Sequence, residues 1–288
     1  MLSKLRKWNP KHFYRKFKKR KQPVMHDISL KKFEEHFKNL TSKDNTGDIN
    51  HDTTETVFDE LDRPFDENEL DLCITKLKRD KAIGIDNIMN EYILMSKNLI
   101  KPVLCKLFNN ILKTGNFPEI WVRSIIISFF KKGNPNDPGN YRGISLVSHM
   151  GKLFTSLLNN RLTKWSENSS VLTDAQFGFR PGYGTTDAIF SLHSLISKSL
   201  RKGKRLYCCF IDNVKAFDSV CHLKLWFRLA RCGITGKLLN VIKSMYSKLQ
   251  CCVKFDGHFS NFFTSNIGLM QEILCRLCYI FVMSMIWR

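Results

Sequence analysis

The sequence has no apolar run of the roughly 18 to 20 residues that a membrane-crossing helix needs. Its longest late stretch, residues 279–287, is about half that length. The N-terminus also lacks the apolar core that a secretory signal places behind its positive charges. These absences argue against a spanning or secreted protein and point to a nuclear or cytoplasmic one. A disulfide framework is lacking too, because the ten cysteines lie in adjacent pairs (Cys208 with Cys209, Cys251 with Cys252) or singly in apolar stretches. Secreted scaffolds space their cysteines differently, so these read as reduced thiols. Cys275 and Cys278 form a C-x-x-C without a second pair nearby, for which helix packing is a better account than zinc. Acid is absent from the first 22 residues, which carry ten Lys/Arg.

What is present in excess is positive charge. The formal net charge is +20 and the pI about 9.6, which calls for a polyanionic partner, a nucleic acid or an anionic membrane surface. Composition alone does not choose, but the missing apolar span weakens the membrane. No protein partner is evident. With 288 residues, 43% of them apolar, the chain can bury a substantial core.

Charge also divides the chain. Residues 1–43 read as a basic N-terminal arm, with Trp8, Phe13, Tyr14 and Phe17 among its cations, suited to lie along phosphates and stack on bases. A solvated tail or a nuclear-import signal fits that arm equally well. Residues 44–71 hold eleven Asp/Glu against one Arg, so 44–64 is expected to be an acidic linker. Residues 65–120 read as a helical N-terminal part of the next domain, with Asp66 as N-cap. From there to 288, short β-rich runs alternate with amphipathic helices, the pattern of an α+β domain. Helices are expected at 91–113, 151–166, 185–202 and 222–232, and strands at 124–130, 205–211 and 251–255.

The candidate chemistry lies in three places. The run 205–211 ends in Asp212, so a strand would deliver a carboxylate at its edge. Such a group can hold a hard divalent cation such as Mg²⁺, although an Asp there is more often a turn former. Asp218, just before Ser219, fits the N-cap of a following helix. The segment 124–148 reads as strand, turn-rich loop and strand. It sets Lys131, Lys132 and Arg142 at the shoulders of a hairpin where three cations can clasp a triphosphate, unless it is an ordinary exposed basic hairpin. Residues 176–187 are Gly-rich and open a helix, so their amides can contact phosphate or Thr185 or Thr186 can simply cap that helix.

Taken in order, these segments resemble the reverse transcriptases of non-LTR retrotransposons of the jockey and LINE type. The pieces are Lys81-Ala-Ile-Gly-Ile-Asp86-Asn-Ile, Gly115-Asn-Phe-Pro118-Glu-Ile-Trp121, the Phe-Lys-Lys-Gly and Asn-Tyr-Arg segments of the hairpin, Gln176-Phe-Gly-Phe-Arg180, Phe210-Ile-Asp212-Asn-Val-Lys-Ala-Phe217-Asp218-Ser-Val220 and Gly268-Leu-Met-Gln271. The resemblance implies the fingers and part of the palm of a right-hand polymerase. It implies Asp212 as first metal carboxylate, catalytic through Mg²⁺, and Phe217 as the aromatic gate against a ribose 2′-hydroxyl. Lys131, Lys132 and Arg142 would hold the triphosphate, and Gln271 would sit near the template. The implied partners are an RNA template, a DNA primer and a dNTP.

The sequence also departs from that pattern. Gln271 is followed by Glu272, not Gly, Gly143 replaces a proline, and no Asp follows Asp256. The family's next carboxylates, an aromatic-x-Asp-Asp hairpin, are therefore not found. The expectation is an incomplete palm with no polymerase activity of its own. The alternatives are a non-catalytic basic nucleic-acid-binding fragment and a decayed product with unpaired sheet edges.

Overall fold

The structure, a computed structural model, describes residues 27–42, 59–169, 171–213 and 215–269. In chain order the helices are α1 (Leu30–Thr41), α2 (Asp59–Asp62), α3 (Glu67–Thr75), α4 (Asn90–Met95), α5 (Lys97–Thr114) and α6 (Glu119–Val122), then α7 (His149–Asn168), α8 (Thr185–Arg201), α9 (His222–Arg231) and α10 (Gly236–Ser247). The strands are β1 (Arg123–Phe130), β2 (Tyr141–Leu146), β3 (Gln250–Phe255), β4 (His258–Phe259) and β5 (Phe263–Thr264). The fold is α+β, as the alternating pattern implies.

β1 and β2 form the expected antiparallel hairpin, from Ile125 opposite Leu146 to Phe130 opposite Tyr141. On its other side β1 pairs in parallel with β3, Arg123 opposite Gln250 through Ile127 opposite Lys254. A parallel pair needs a crossover, and everything between β2 and β3 in sequence supplies it. β4 and β5 fold back antiparallel onto β3.

Helix α1 is amphipathic, and its buried residues are Phe33 and Phe37. The Phe33 ring meets Tyr141 edge-on at 4.9 Å and Phe255 at 4.7 Å, which locks α1 across the sheet. By packing, residues 30–41 thus belong to the core, although their charge groups them with the arm. The arm's first 22 residues lie outside the described residues, as do Gln271, Cys275 and Cys278.

The end of the acidic segment is held by a buried cation among several exposed or half-buried ones. Arg161 of α7, only 6% exposed, meets both oxygens of Glu69 at 3.1 and 2.8 Å. It also donates to the carbonyls of Leu61, Arg63 and Pro64. Burial pushes the Glu69 carboxyl upward, but the hydrogen bonds and charge of Arg161 outweigh it, and the net shift is downward. Asp62 caps α10, accepting from the amides of Lys237 at 2.8 Å and Leu238 at 2.9 Å. Gly236 sits at φ 67°, and a Cβ there would lie 2.1 Å from Asp62 Oδ2, so the cap requires glycine. Asp66 forms the expected N-cap, within a capping box with Glu69.

Two expected elements and one expected cap differ. The helix expected at 91–113 is broken at Ser96. Its hydroxyl donates to Tyr92 O at 2.6 Å, while its carbonyl accepts from Leu99 and Ile100 at 2.9 and 3.0 Å and starts α5. The helix expected at 222–232 does begin at His222, with Cys221 as N-cap. Residues 217–221 are already engaged, since Gly268 N donates to Val220 O and Leu269 N to Phe217 O, both at 2.8 Å, so Asp218 is not an N-cap. The strand expected at 205–211 does not form. Those residues are exposed coil, and none pairs with a described strand, which is the one requirement apolar and aromatic content cannot meet alone. Helix α8 beside it in sequence buries no residue.

Truncating Phe33 tests whether α1 belongs to the core. Phe33→Ala is expected to cost about 3 to 5 kcal/mol, read as a lower urea midpoint. An unchanged midpoint would show that α1 is dispensable.

Candidate nucleotide site

A cavity of about 270 Å³ opens where the hairpin, α1 and the turn before α9 meet. Lys131 and Arg142 line it from the two shoulders of the hairpin, and Ser124, Tyr141 and Gly143 from its strands. Across from them stand Lys215, Ala216, Phe217 and Asp218. His36, Phe37 and Thr41 come from α1, and Ser265 with Ile267, Gly268 and Leu269 closes the floor. Three segments far apart in sequence therefore place two expected cations and the expected aromatic gate on one cavity.

The sequence folds this way locally for identifiable reasons. Lys131 N donates to Asn140 O at 2.9 Å, closing the hairpin loop, and Asp137 caps the short turn at Pro138–Asn140 through Gly139 N at 2.8 Å. Gly143 lies beneath Phe37, whose ring would sit 2.8 Å from a Cβ there. A proline at 143 would meet the same ring, so the departure from the family pattern matches how tightly α1 packs. The floor is drawn to the opposite wall by His222, whose Nε2 lies 2.7 Å from Gly268 O. Gly268 takes φ 92°, and a Cβ there would approach Asp218 O at 3.2 Å. Asn266 N and Ile267 N donate to Thr41 O at 2.9 and 3.3 Å, which ties the floor to the end of α1.

Other expected site residues stand elsewhere. Lys132 is exposed and does not line the cavity, and Asp212 is exposed in the coil 204–213. Arg180 of the Gly-rich loop is engaged by Glu167 at 2.7 Å and lies over the Tyr183 ring at 4.3 Å, so it is not spare for phosphate. Gly184 is the N-cap of α8, its amide donating to Asp187 at 2.7 Å, a role read for Thr185 or Thr186. Asp86 accepts from Ser148 Oγ at 2.5 Å, and Gly84 abuts Val147 so closely that a Cβ would fall 2.6 Å from its carbonyl carbon. The segment beginning at Lys81 thus braces the start of α7. Sequence reasoning missed Lys215 and His36. Lys215 lies inside the quoted Asp212 segment and was readable there; His36 carried no signal beyond its place on an amphipathic helix.

Residues 130–271 match the reverse transcriptase (RNA-dependent DNA polymerase) family. The chain carries a reverse transcriptase domain. It is 31% identical over 195 residues to the RNA-directed DNA polymerase from mobile element jockey of Drosophila funebris, covering 67% of this chain and 21% of that protein. It is 33% identical over 161 residues to the probable RNA-directed DNA polymerase from transposon BS of Drosophila melanogaster, covering 56% of this chain and 18% of that one. To the corresponding X-element protein of the same fly it is 28% identical over 221 residues, 75% of this chain and 24% of that one. The chain therefore spans about a fifth of the curated relatives it matches.

Reverse transcriptases work on a nucleic-acid template and primer and normally use a divalent metal. The described residues of this domain do not make such a metal site. Asp212 stands in exposed coil, and among the described residues no three His, Cys, Asp or Glu side chains gather, whereas a metal needs several oxygen ligands at once.

Burial lowers the pKa of His222 below its ordinary 6.5, against the pull of the Gly268 carbonyl, and of His149 likewise. The unfolded chain then binds more protons than the folded one below about pH 6.5, so stability falls as pH falls from that value toward the folded pKa. The urea midpoint should drop between pH 7.5 and pH 5.5, and drop less in His222→Gln. Equal declines in both proteins would remove His222 from this role.

Proposed function

We propose that this chain is the nucleotide-holding part of the RNA-directed DNA polymerase of a non-LTR retrotransposon, its hairpin belonging to the fingers and its Phe217 segment to the palm. The observation that carries this reading is the convergence of Lys131, Arg142 and Phe217 on one cavity. The substrate it fits is a deoxynucleoside triphosphate. Two cations offset part of the polyphosphate charge, and the guanidinium can take two oxygens at once. Phe217 is half-buried, edge-on to Phe179 at 6.3 Å, so its ring is braced where a 2′-hydroxyl would have to pass.

The reaction this serves is attack of a primer 3′-hydroxyl on the α-phosphorus. A new O–P bond forms, the bond to the β-phosphate oxygen breaks, the hydroxyl proton is lost and pyrophosphate leaves. In this chain Lys131 and Arg142 meet the charge on the departing phosphates, where positive donors lower the barrier. The template is RNA, the primer DNA. Catalysis also needs carboxylates beyond Asp212, and the 288-residue polypeptide alone is expected to hold a dNTP without joining it.

Lys131→Ala and Arg142→Ala should each weaken dATP binding roughly tenfold, the weight of a hydrogen bond to a charged group. Lys132→Ala should leave binding near wild type. Magnesium-dependent incorporation on a primed RNA template, lost in Asp212→Ala, would overturn the expected inactivity. Steep salt dependence of RNA binding with no dNTP affinity would favour the nucleic-acid-binding fragment instead.

A further inference from the structure

We infer that helix α1, which lies outside the family match, is a working wall of the nucleotide cavity, and that His36 on it binds the polyphosphate end of the substrate together with Lys215. This rests on the nucleotide reading above and extends it to residues that the reading did not assign.

The placement comes first. α1 is fixed in the fold by Phe33 and Phe37, whose side chains are 0% and 6% exposed. His36 lies on the helix between them in sequence but is only partly buried, and its ring stands edge-on to Phe37 at 5.3 Å. That side of the helix lines the cavity, with Lys131 and Arg142 on one wall and Lys215 on another. The cavity is thus surrounded by cationic or ionisable nitrogen on three sides, from three elements separated by some 90 and 70 residues of sequence.

Charge then states what the space suits. Burial and the charge of Lys215 both lower the His36 pKa, while Asp137 in the hairpin loop opposes them. Two groups that repel each other across this space both attract an anion placed between them. A phosphate there would return the proton to His36, so binding and protonation are linked. The charged groups facing His36 are Lys215 and Asp137, with Lys131, Arg142 and Asp218 further around the same cavity. Four basic groups against Asp218 and Asp137 favour a highly charged ligand over a neutral one. The chemistry is that of a triphosphate, and the nucleoside adds contact with Phe217.

The test is calorimetric binding of inorganic tripolyphosphate, and in parallel dATP, to the 288-residue chain at pH 6.0 and 7.5. Wild type, His36→Ala, His36→Gln, Lys215→Ala and Lys131→Ala are compared. Phe33 and Phe37 hold α1, so both His36 variants are expected to keep the wild-type urea midpoint at pH 7.5. Lys215→Ala is expected to weaken both ligands about tenfold at both pH values. His36→Ala and His36→Gln are expected to weaken them several-fold more at pH 6.0 than at pH 7.5, because neither variant can take up the proton. If Lys131→Ala weakens binding while His36 and Lys215 variants match wild type at both pH values, the inference fails and the nucleotide reading stands. If Lys131→Ala also binds as wild type does, the nucleotide reading fails first.

Discussion

The structure depends on one pairing, that of β1 with β3 in parallel. It joins residues 123–127 to residues 250–254, and nothing local to either strand requires it. Once formed, it sets the hairpin beside the segment that leads into Ser265–Leu269. That segment in turn fastens to Phe217, Val220 and His222 through backbone and imidazole hydrogen bonds. Every wall of the cavity hangs from this seam. Because the pairing is parallel, α7 to α10 must cross over before β3 is reached, and such a crossover is a slow, non-local step in folding.

The second constraint is the way polar groups are fully engaged where the chain turns. Arg161 takes up three backbone carbonyls and a carboxylate, and with Arg63 and the Asp66 cap it fixes the descent from the acidic segment into α3. Asp62 satisfies two amides at the start of α10. A buried Arg of this kind is costly to leave unpaired, and its partners are therefore as structural as any apolar residue. The acidic side chains of this segment serve here to hold the fold.

Much of this was legible in the sequence, and the exceptions have physical causes. The β1–β2 hairpin, α3 with its Asp66 cap, α7, α8 and β3 follow from local periodicity and turn residues, which the final fold does not override. The break at Ser96 was not legible, because a serine hydroxyl bonding back one turn leaves no trace in an apolar pattern. The run 205–211 has a strand's composition but finds no partner strand among the described residues, and pairing is a property of two segments. Similarly, the places of Lys131 and Arg142 were readable from the hairpin pattern and that of Phe217 from family resemblance, while the contribution of α1 was not. Its residues reach the cavity only because Phe33 wedges between Tyr141 and Phe255, a long-range packing event.

The central claim is that a nucleoside triphosphate sits in this cavity with its phosphates toward the hairpin. Photo-crosslinking with a dATP carrying an azidoanilide on the γ-phosphate tests it directly. The account predicts adducts on peptides containing His36, Lys131, Arg142 or Lys215, each suppressed by excess dATP. Adducts confined to other peptides, or labelling that dATP does not suppress, would contradict it.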